Sequence, residues 1–310
     1  MNFQHMDMYQ QHTLADSFTV IGRGVHSGLN VVMTVMPAEA DSGYVFFRKD
    51  VIPAIAEVPA RWNTVTDTRL STTVANRFGI RVSTIEHLLA ALHGCGVDNA
   101  RIVLDGPEVP IMDGSAQPFV ELIQQTGLRA LSRPRMAIVI TRPLEIEENG
   151  ATAALLPAPS PELEMFIDFP GTAIGEQSYI TRLNADLFSR ELADSRTFGF
   201  YEQIETLKQI GLAKGGSLQN AVVFKDQQIM NEEGLRHPDE CVRHKVLDSV
   251  GDLSLAGAVI LGRFVGHKSG HALNNRLLRQ LLGNESHWCL CTLQQAEKAW
   301  YSLVELPVAV

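Results

Sequence analysis

His244, Asp248 and Asp252 recur at i, i+4 and i+8, a spacing that lines three side chains along one face of an α-helix. Val242, Val246, Val250 and Leu253 fall on another face as an apolar stripe. His244 and Asp248 then stand close enough to grip one ion. Imidazole nitrogen and carboxylate oxygen suit Zn²⁺, which keeps three protein ligands and an open position when it is catalytic. The same spacing also describes an ordinary solvated helix face carrying a His–Asp pair. A second cluster is Ser83-Thr-Ile-Glu-His87. Ile85, Leu88, Leu89 and Leu92 form its buried stripe, and Glu86 and His87 point away from it. His87 can supply a third ligand. Glu86 beside it can act as a general base toward water acidified by a metal. Ser83 and Glu86 equally fit a Ser-x-x-Glu capping box, in which Glu86 only satisfies the helix N-terminus.

Two loops add candidates. Gly266-His-Lys-Ser-Gly-His271 lies between a strand and a helix, where functional side chains concentrate. There His271 can serve as general acid or oxyanion partner and Lys268 can meet a phosphate. An ordinary polar surface turn has the same composition. Arg196-Thr-Phe-Gly-Phe200 offers an aromatic ring for stacking on a sugar or base and a hydroxyl for polarising a carbonyl, though aromatic residues are more often core. His5, His12, His26, His93, His237, His267 and His287 are read as structural or exposed. His26, in the glycine-rich Gly22–Gly28 loop, is the exception to watch.

These residues need elements to hold them. The pattern predicts strands at 18–21, 30–36, 100–104, 136–140, 163–169 and 259–265, with an apolar strand-like run at 288–293. Helices are expected at about 83–92, 117–125, 185–193, 201–209, 239–255 and 274–282. Arg129–Pro134 has turn composition and is the candidate linker. No glycine-rich dinucleotide fingerprint follows a strand, and no repeat or low-complexity segment is visible. The 310 residues carry a net charge of -9, which argues against a general nucleic-acid partner. Cys95, Cys241, Cys289 and Cys291 form no CxxC pair and read as free thiols of a reducing compartment. The polar start, Met1 to His12, lacks the basic-then-apolar pattern of a secretory leader. No run approaches the roughly 18 apolar residues of a membrane span. A soluble, cytoplasmic monomer is the expectation.

Six segments together resemble the UDP-3-O-acyl-N-acetylglucosamine deacetylase family: GRGVHSG at 22–28, STIEHLLAAL at 83–92, VPIMDGSAQPFV at 109–120, SRTFGF at 195–200, RHKVLDSVGDL at 243–253 and KSGHALNN at 268–275. They run in the family's order from about residue 13 to 305. The resemblance implies that His87, His244 and Asp248 hold Zn²⁺, that Glu86 is the general base, and that His271 is the general acid or oxyanion partner oriented by Asp252. It implies that Thr197 polarises the acetamide carbonyl and that Phe198 packs on the glucosamine. Lys245 and Lys268 would meet the diphosphate, and Asp168 and Phe169 the uridine. The implied fold is α+β: two tandem domains of similar topology, at 13–130 and 134–310, each a sheet backed by helices, with the helices packed between the sheets. An insert at about 197–225 would form the acyl-chain passage, with Leu218, Ala221 and Val223 in its lining. Two departures stand out. About ten extra residues precede the first family-like strand, and His267 replaces a common aromatic. Two rival functions are hydrolysis of a different N-acyl or ester compound, and nucleotide-sugar binding around a structural metal, which would need four protein ligands.

Overall fold

The computed structural model describes residues 7–303. Residues 1–6 and 304–310, including His5 and the far end of the 13–305 resemblance, lie outside the described residues.

Two five-stranded sheets carry the architecture. The first runs Phe18–Arg23, Asn30–Pro37, Ala100–Leu104, Tyr44–Arg48, Glu57–Pro59. The second runs Leu144–Glu148, Ala151–Leu156, Arg263–His267, Glu162–Phe169, Gly175–Arg182. Numbered along the chain, both have the order 1-2-5-3-4, and in both the pairing of strands 3 and 5 is parallel while the rest are antiparallel. One face of each sheet is dry. Burial alternates residue by residue along Asn30–Pro37 and Glu162–Phe169, the period-two pattern of a half-buried strand.

Helices fill the space between the sheets. Gln117–Thr126 rests on the Phe18–Arg23 strand, Glu240–Ser254 rests on Glu162–Phe169 and Gly175–Arg182, and His271–Leu282 rests on Leu144–Glu148 and Ala151–Leu156. At the centre Glu86–Gly94 packs against Glu240–Ser254, and one apolar cluster joins helices and sheets. The expected α+β class, with helices between two similar sheets, is what the chain adopts.

Several elements differ from the sequence reading. Arg129–Pro134 is not a turn-like linker. Leu128–Pro134 is a strand paired antiparallel with Gln10–Leu14, a partner more than 100 residues away that no local pattern reveals. The run 259–265 splits at Gly262 into two strands serving different sheets. A Cβ on Gly262 would stand 2.5 Å from Ile140 Cγ1, so the chain passes there without a side chain. The 274–282 helix starts at His271. The 185–193 helix is one short α-turn continued as a π-helical stretch, Phe188–Leu192.

Candidate metal centre and active site

The crossing of Glu86–Gly94 with Glu240–Ser254 builds the site. A Cβ on Gly251 would lie 2.1 Å from the Glu86 carbonyl oxygen. Only glycine lets the two backbones touch, and that contact brings the N-terminal turn of one helix onto the last turn of the other. Along the second helix His244 and Asp248 stack one turn apart, as their spacing demands.

His244 Nε2 and His87 Nε2 lie 3.4 and 3.5 Å from the same atom, Asp248 Oδ1. The two imidazoles stand edge to face with centroids 4.9 Å apart. Among the described residues these three side chains form a His/His/Asp group whose ligand atoms lie within 4.8 Å of one another. His244 Nδ1–H donates to the Ser195 carbonyl at 3.0 Å, which fixes the tautomer and leaves the Nε2 lone pair facing inward. Burial pushes the His244 pKa down to about 4 against the opposing pull of Asp248, so the ring is neutral, the form that binds a metal. Burial works against the charge of Asp248 as well, but His244 and Lys245 outweigh it and hold the carboxyl well below its ordinary range. Lys245 Nζ donates to Asp248 Oδ2 at 2.6 Å. Asp248 Oδ1, in contrast, is buried with no hydrogen-bond partner, as is His87 Nδ1. A buried carboxylate oxygen left unpaired is costly. A cation among the three groups would remove that cost, so the donor set fits a metal ion.

Glu86 and His271 flank this cluster. The alternative capping box does not form. Ile85 is the N-cap without a side-chain bond, Ser83 Oγ donates to the Pro107 carbonyl, and Glu86 Oε2 accepts the Thr72 backbone N–H at 2.9 Å. The Glu86 carboxylate is therefore directed into the site, with Oε1 3.9 Å from His271 Nε2. Burial raises its pKa, against the lowering effect of His271 and His87. His271 Nδ1–H donates to Asp252 Oδ2 at 2.8 Å, and the same oxygen accepts from Asn274 Nδ2 at 2.9 Å. Burial alone would discharge His271, but Asp252, then Glu86 and Asp248, raise its pKa to about 9.

A cavity of about 870 Å³ opens on the cluster, within the size range of small-molecule sites. Glu86, His87, His244, Lys245, Asp248, His271, Thr197, Phe198 and Phe169 line it, as do Leu218, Ala221 and Val223 of the expected passage. Phe198 stands 6.3 Å from the His244 ring and 5.6 Å from Phe169. The 197–225 segment forms a strand, Phe198–Phe200, a helix, Tyr201–Gln209, and a strand, Val222–Lys225, parallel to the first. Asp168 and Lys268 are not in the lining. They pair with each other at 2.7 Å on a half-exposed edge. His267 stacks flat on Phe166, with centroids 4.7 Å apart, filling the place of an aromatic ring.

Residue type and spacing do not reveal the supports of the site. Glu108, 1% exposed, accepts the backbone N–H groups of His26 and Ser27 at 2.8 and 2.7 Å and the Thr84 hydroxyl at 2.9 Å. It thereby pins the glycine-rich loop, whose His26 lines the cavity. Gly114 accepts the Thr197 N–H at 2.8 Å. A Cβ at Gly114 would sit 2.2 Å from the Asn220 carbonyl. Both residues lie in or beside VPIMDGS, so the motif was visible but its mechanical role was not.

The family profile of UDP-3-O-acyl N-acetylglycosamine deacetylase matches residues 11–283. UDP-3-O-acyl-N-acetylglucosamine deacetylase of Haemophilus influenzae (strain 86-028NP) is 45% identical over 293 residues, covering 94% of this chain and 96% of that protein. The enzyme of the same name from Myxococcus xanthus (strain DK1622) is 45% identical over 278 residues, 90% of this chain and 88% of its own. That of Shewanella oneidensis is 43% identical over 294 residues, 94% and 96% of the two chains. With a metal-competent cluster under a ligand-sized cavity and relatedness along nearly its whole length, the chain belongs to the UDP-3-O-acyl-N-acetylglucosamine deacetylase family.

Proposed function

We propose that this chain hydrolyses the N-acetyl group of UDP-3-O-acyl-N-acetylglucosamine, releasing acetate and UDP-3-O-acyl-glucosamine, in the cytoplasm as the committed step of lipid A biosynthesis. The reading takes Zn²⁺ as the cofactor, held by His87, His244 and Asp248. The observation that carries it is the buried, unpartnered Asp248 Oδ1 set between two imidazole nitrogens. Bound there, the ion supplies a Lewis acid and lowers the pKa of water toward roughly 7.

The rest of the chemistry belongs to the chain. Glu86, its carboxyl pKa raised by burial, accepts the proton of the attacking water. His271, protonated at neutral pH, donates a hydrogen bond to the oxyanion that develops on the acetamide, with the Thr197 hydroxyl as a second donor. Asp252 holds the His271 ring in place. His271 or Glu86 then protonates the leaving amine. Phe198 packs on the glucosamine. Lys245 and Lys268 meet the diphosphate, with Asp168 and Phe169 at the uridine. Lys268 must part from Asp168 to do so, which ties phosphate and uridine binding together. The 197–225 insert takes the acyl chain. Two domains, 13–130 and 134–310, fit the two repeated sheets. The reading takes the chain to act as a monomer.

The test is acetate release from the acylated UDP-sugar with and without a chelator. Loss on chelation and recovery with added Zn²⁺ support the proposal. Undiminished turnover in metal-free protein would sink it.

A further inference from the structure

We propose that Thr72 is a positioning residue that sets the base and the acid of this site in register with each other, an inference that rests on the deacetylase reading above. Thr72 is 1% exposed and lies just before the short Thr73–Ala75 strand. Its backbone N–H donates to Glu86 Oε2 at 2.9 Å, and its hydroxyl donates to Asp252 Oδ1 at 2.6 Å. The direction of the second bond is fixed, because an ionised carboxylate only accepts. Thr72 is itself tied down. Its carbonyl accepts the Ile85 N–H at 3.4 Å, and the next residue, Thr73, pairs with Asp67.

The consequence is a continuous chain of contacts, Glu86–Thr72–Asp252–His271. Asp252 divides its oxygens between two tasks. Oδ1 takes the Thr72 hydroxyl, while Oδ2 takes His271 Nδ1–H and Asn274. With both ends occupied the carboxylate plane cannot rotate, and the His271 ring it holds keeps its Nε2 aimed at the cluster. Without the hydroxyl, Oδ1 loses its partner in a buried setting, the plane is free to turn, and the imidazole turns with it. On the other side, the backbone bond to Glu86 Oε2 leaves Oε1 facing His271 Nε2. One buried residue thus fixes which oxygen of the base is available and where the acid points. Side-chain composition gives no hint of this, since Ser71, Thr72 and Thr73 form an undifferentiated polar run.

Thr72→Val keeps the backbone N–H and the shape but removes the hydroxyl. With Zn²⁺ content and KM unchanged, kcat should fall by roughly 10- to 100-fold, the usual cost of losing an outer-layer hydrogen bond. The downfield proton resonance of His271 Nδ1–H should shift or vanish in the zinc-loaded protein. Thr72→Ser should restore both rate and resonance. Thr72→Ala should repeat the loss if the valine variant folds poorly. A valine variant with wild-type kcat and an unmoved resonance overturns the proposal. So does a serine variant as impaired as valine, because the methyl group would then be the part that matters. If wild-type protein releases no acetate, the deacetylase reading fails, and the resonance comparison still decides whether Thr72 governs the Asp252–His271 bond.

Discussion

The Glu240–Ser254 helix carries two buried charge clusters, and they are built on opposite principles. At its first turn Glu240, fully buried, meets Arg196. Arg196 Nε donates to Glu240 Oε1 at 2.9 Å, Nη1 to Glu233 at 2.7 Å, and Nη2 to the Gly234 carbonyl at 2.7 Å, while Glu240 also accepts the backbone N–H of Arg236. Each of those charges is answered from within the chain. One turn further on, His244 and Asp248 meet His87 and leave Asp248 Oδ1 and His87 Nδ1 without partners. The central groups of both, Arg196 and Glu240 in one and His87, His244 and Asp248 in the other, are buried, so burial does not tell them apart. Satisfaction does. A closed network fastens the chain, whereas an open one waits for something that the chain does not contain.

That contrast can be broken by experiment. Glu86→Ala, in the open cluster, should lower kcat by up to ~10⁴-fold while Zn²⁺ stays bound; steady-state kinetics with metal analysis checks it, and near-normal turnover would remove Glu86 from its proposed role. Glu240→Ala, in the closed network, should cost about 3 kcal/mol in urea unfolding, because the buried Arg196 guanidinium loses its buried carboxylate and keeps only the exposed Glu233 and the Gly234 carbonyl. The pH sign is defined. Burial opposes ionisation of Glu240, but Arg196 wins and holds its pKa below the ordinary value. Its contribution is therefore complete above the unfolded pKa and fades as pH falls through the folded one, and the alanine variant should lose that acid sensitivity. Zn²⁺ at 100 times its Kd should add about 2.7 kcal/mol of stability. Asp248→Ala should abolish the increment and Glu240→Ala should keep it; calorimetry that finds equal increments in both would erase the distinction. Gly251→Ala should cost ~1–3 kcal/mol by overpacking the helix crossing, and Zn²⁺ affinity should fall with it. The gentlest test is the pH–rate profile. Activity should rise as Glu86 ionises at its raised pKa and decline as His271 deprotonates near about 9; a profile without the alkaline limb would argue against a protonated His271.

Part of this site was legible in the sequence because helical geometry is local. His244, Asp248 and Asp252 had to share a face, and that face is where the cluster forms. Glu86 was ambiguous for a physical reason. A capping box and an active-site carboxylate share one sequence pattern, and only the Thr72 N–H, reaching in from another segment, decides between them. The second strand of the Gln10–Leu14 pair was invisible because its register is set across more than 100 residues. Nothing local marks Gly251, because the Glu86 carbonyl packed against it comes from another helix. Lys268 and Asp168 were both expected near the ligand, yet no spacing rule foretold that they hold each other.

The repeated 1-2-5-3-4 sheets carry one more implication. Neither repeat owns the whole of the proposed reactive set: Glu86 and His87 follow the first sheet, while His244, Asp248, Asp252 and His271 belong with the second. The groups meet only at the seam, where two helices touch through a glycine. Anything that loosens the seam should therefore silence the protein before either half melts. In a mild denaturant titration, turnover should disappear ahead of the far-ultraviolet circular dichroism signal.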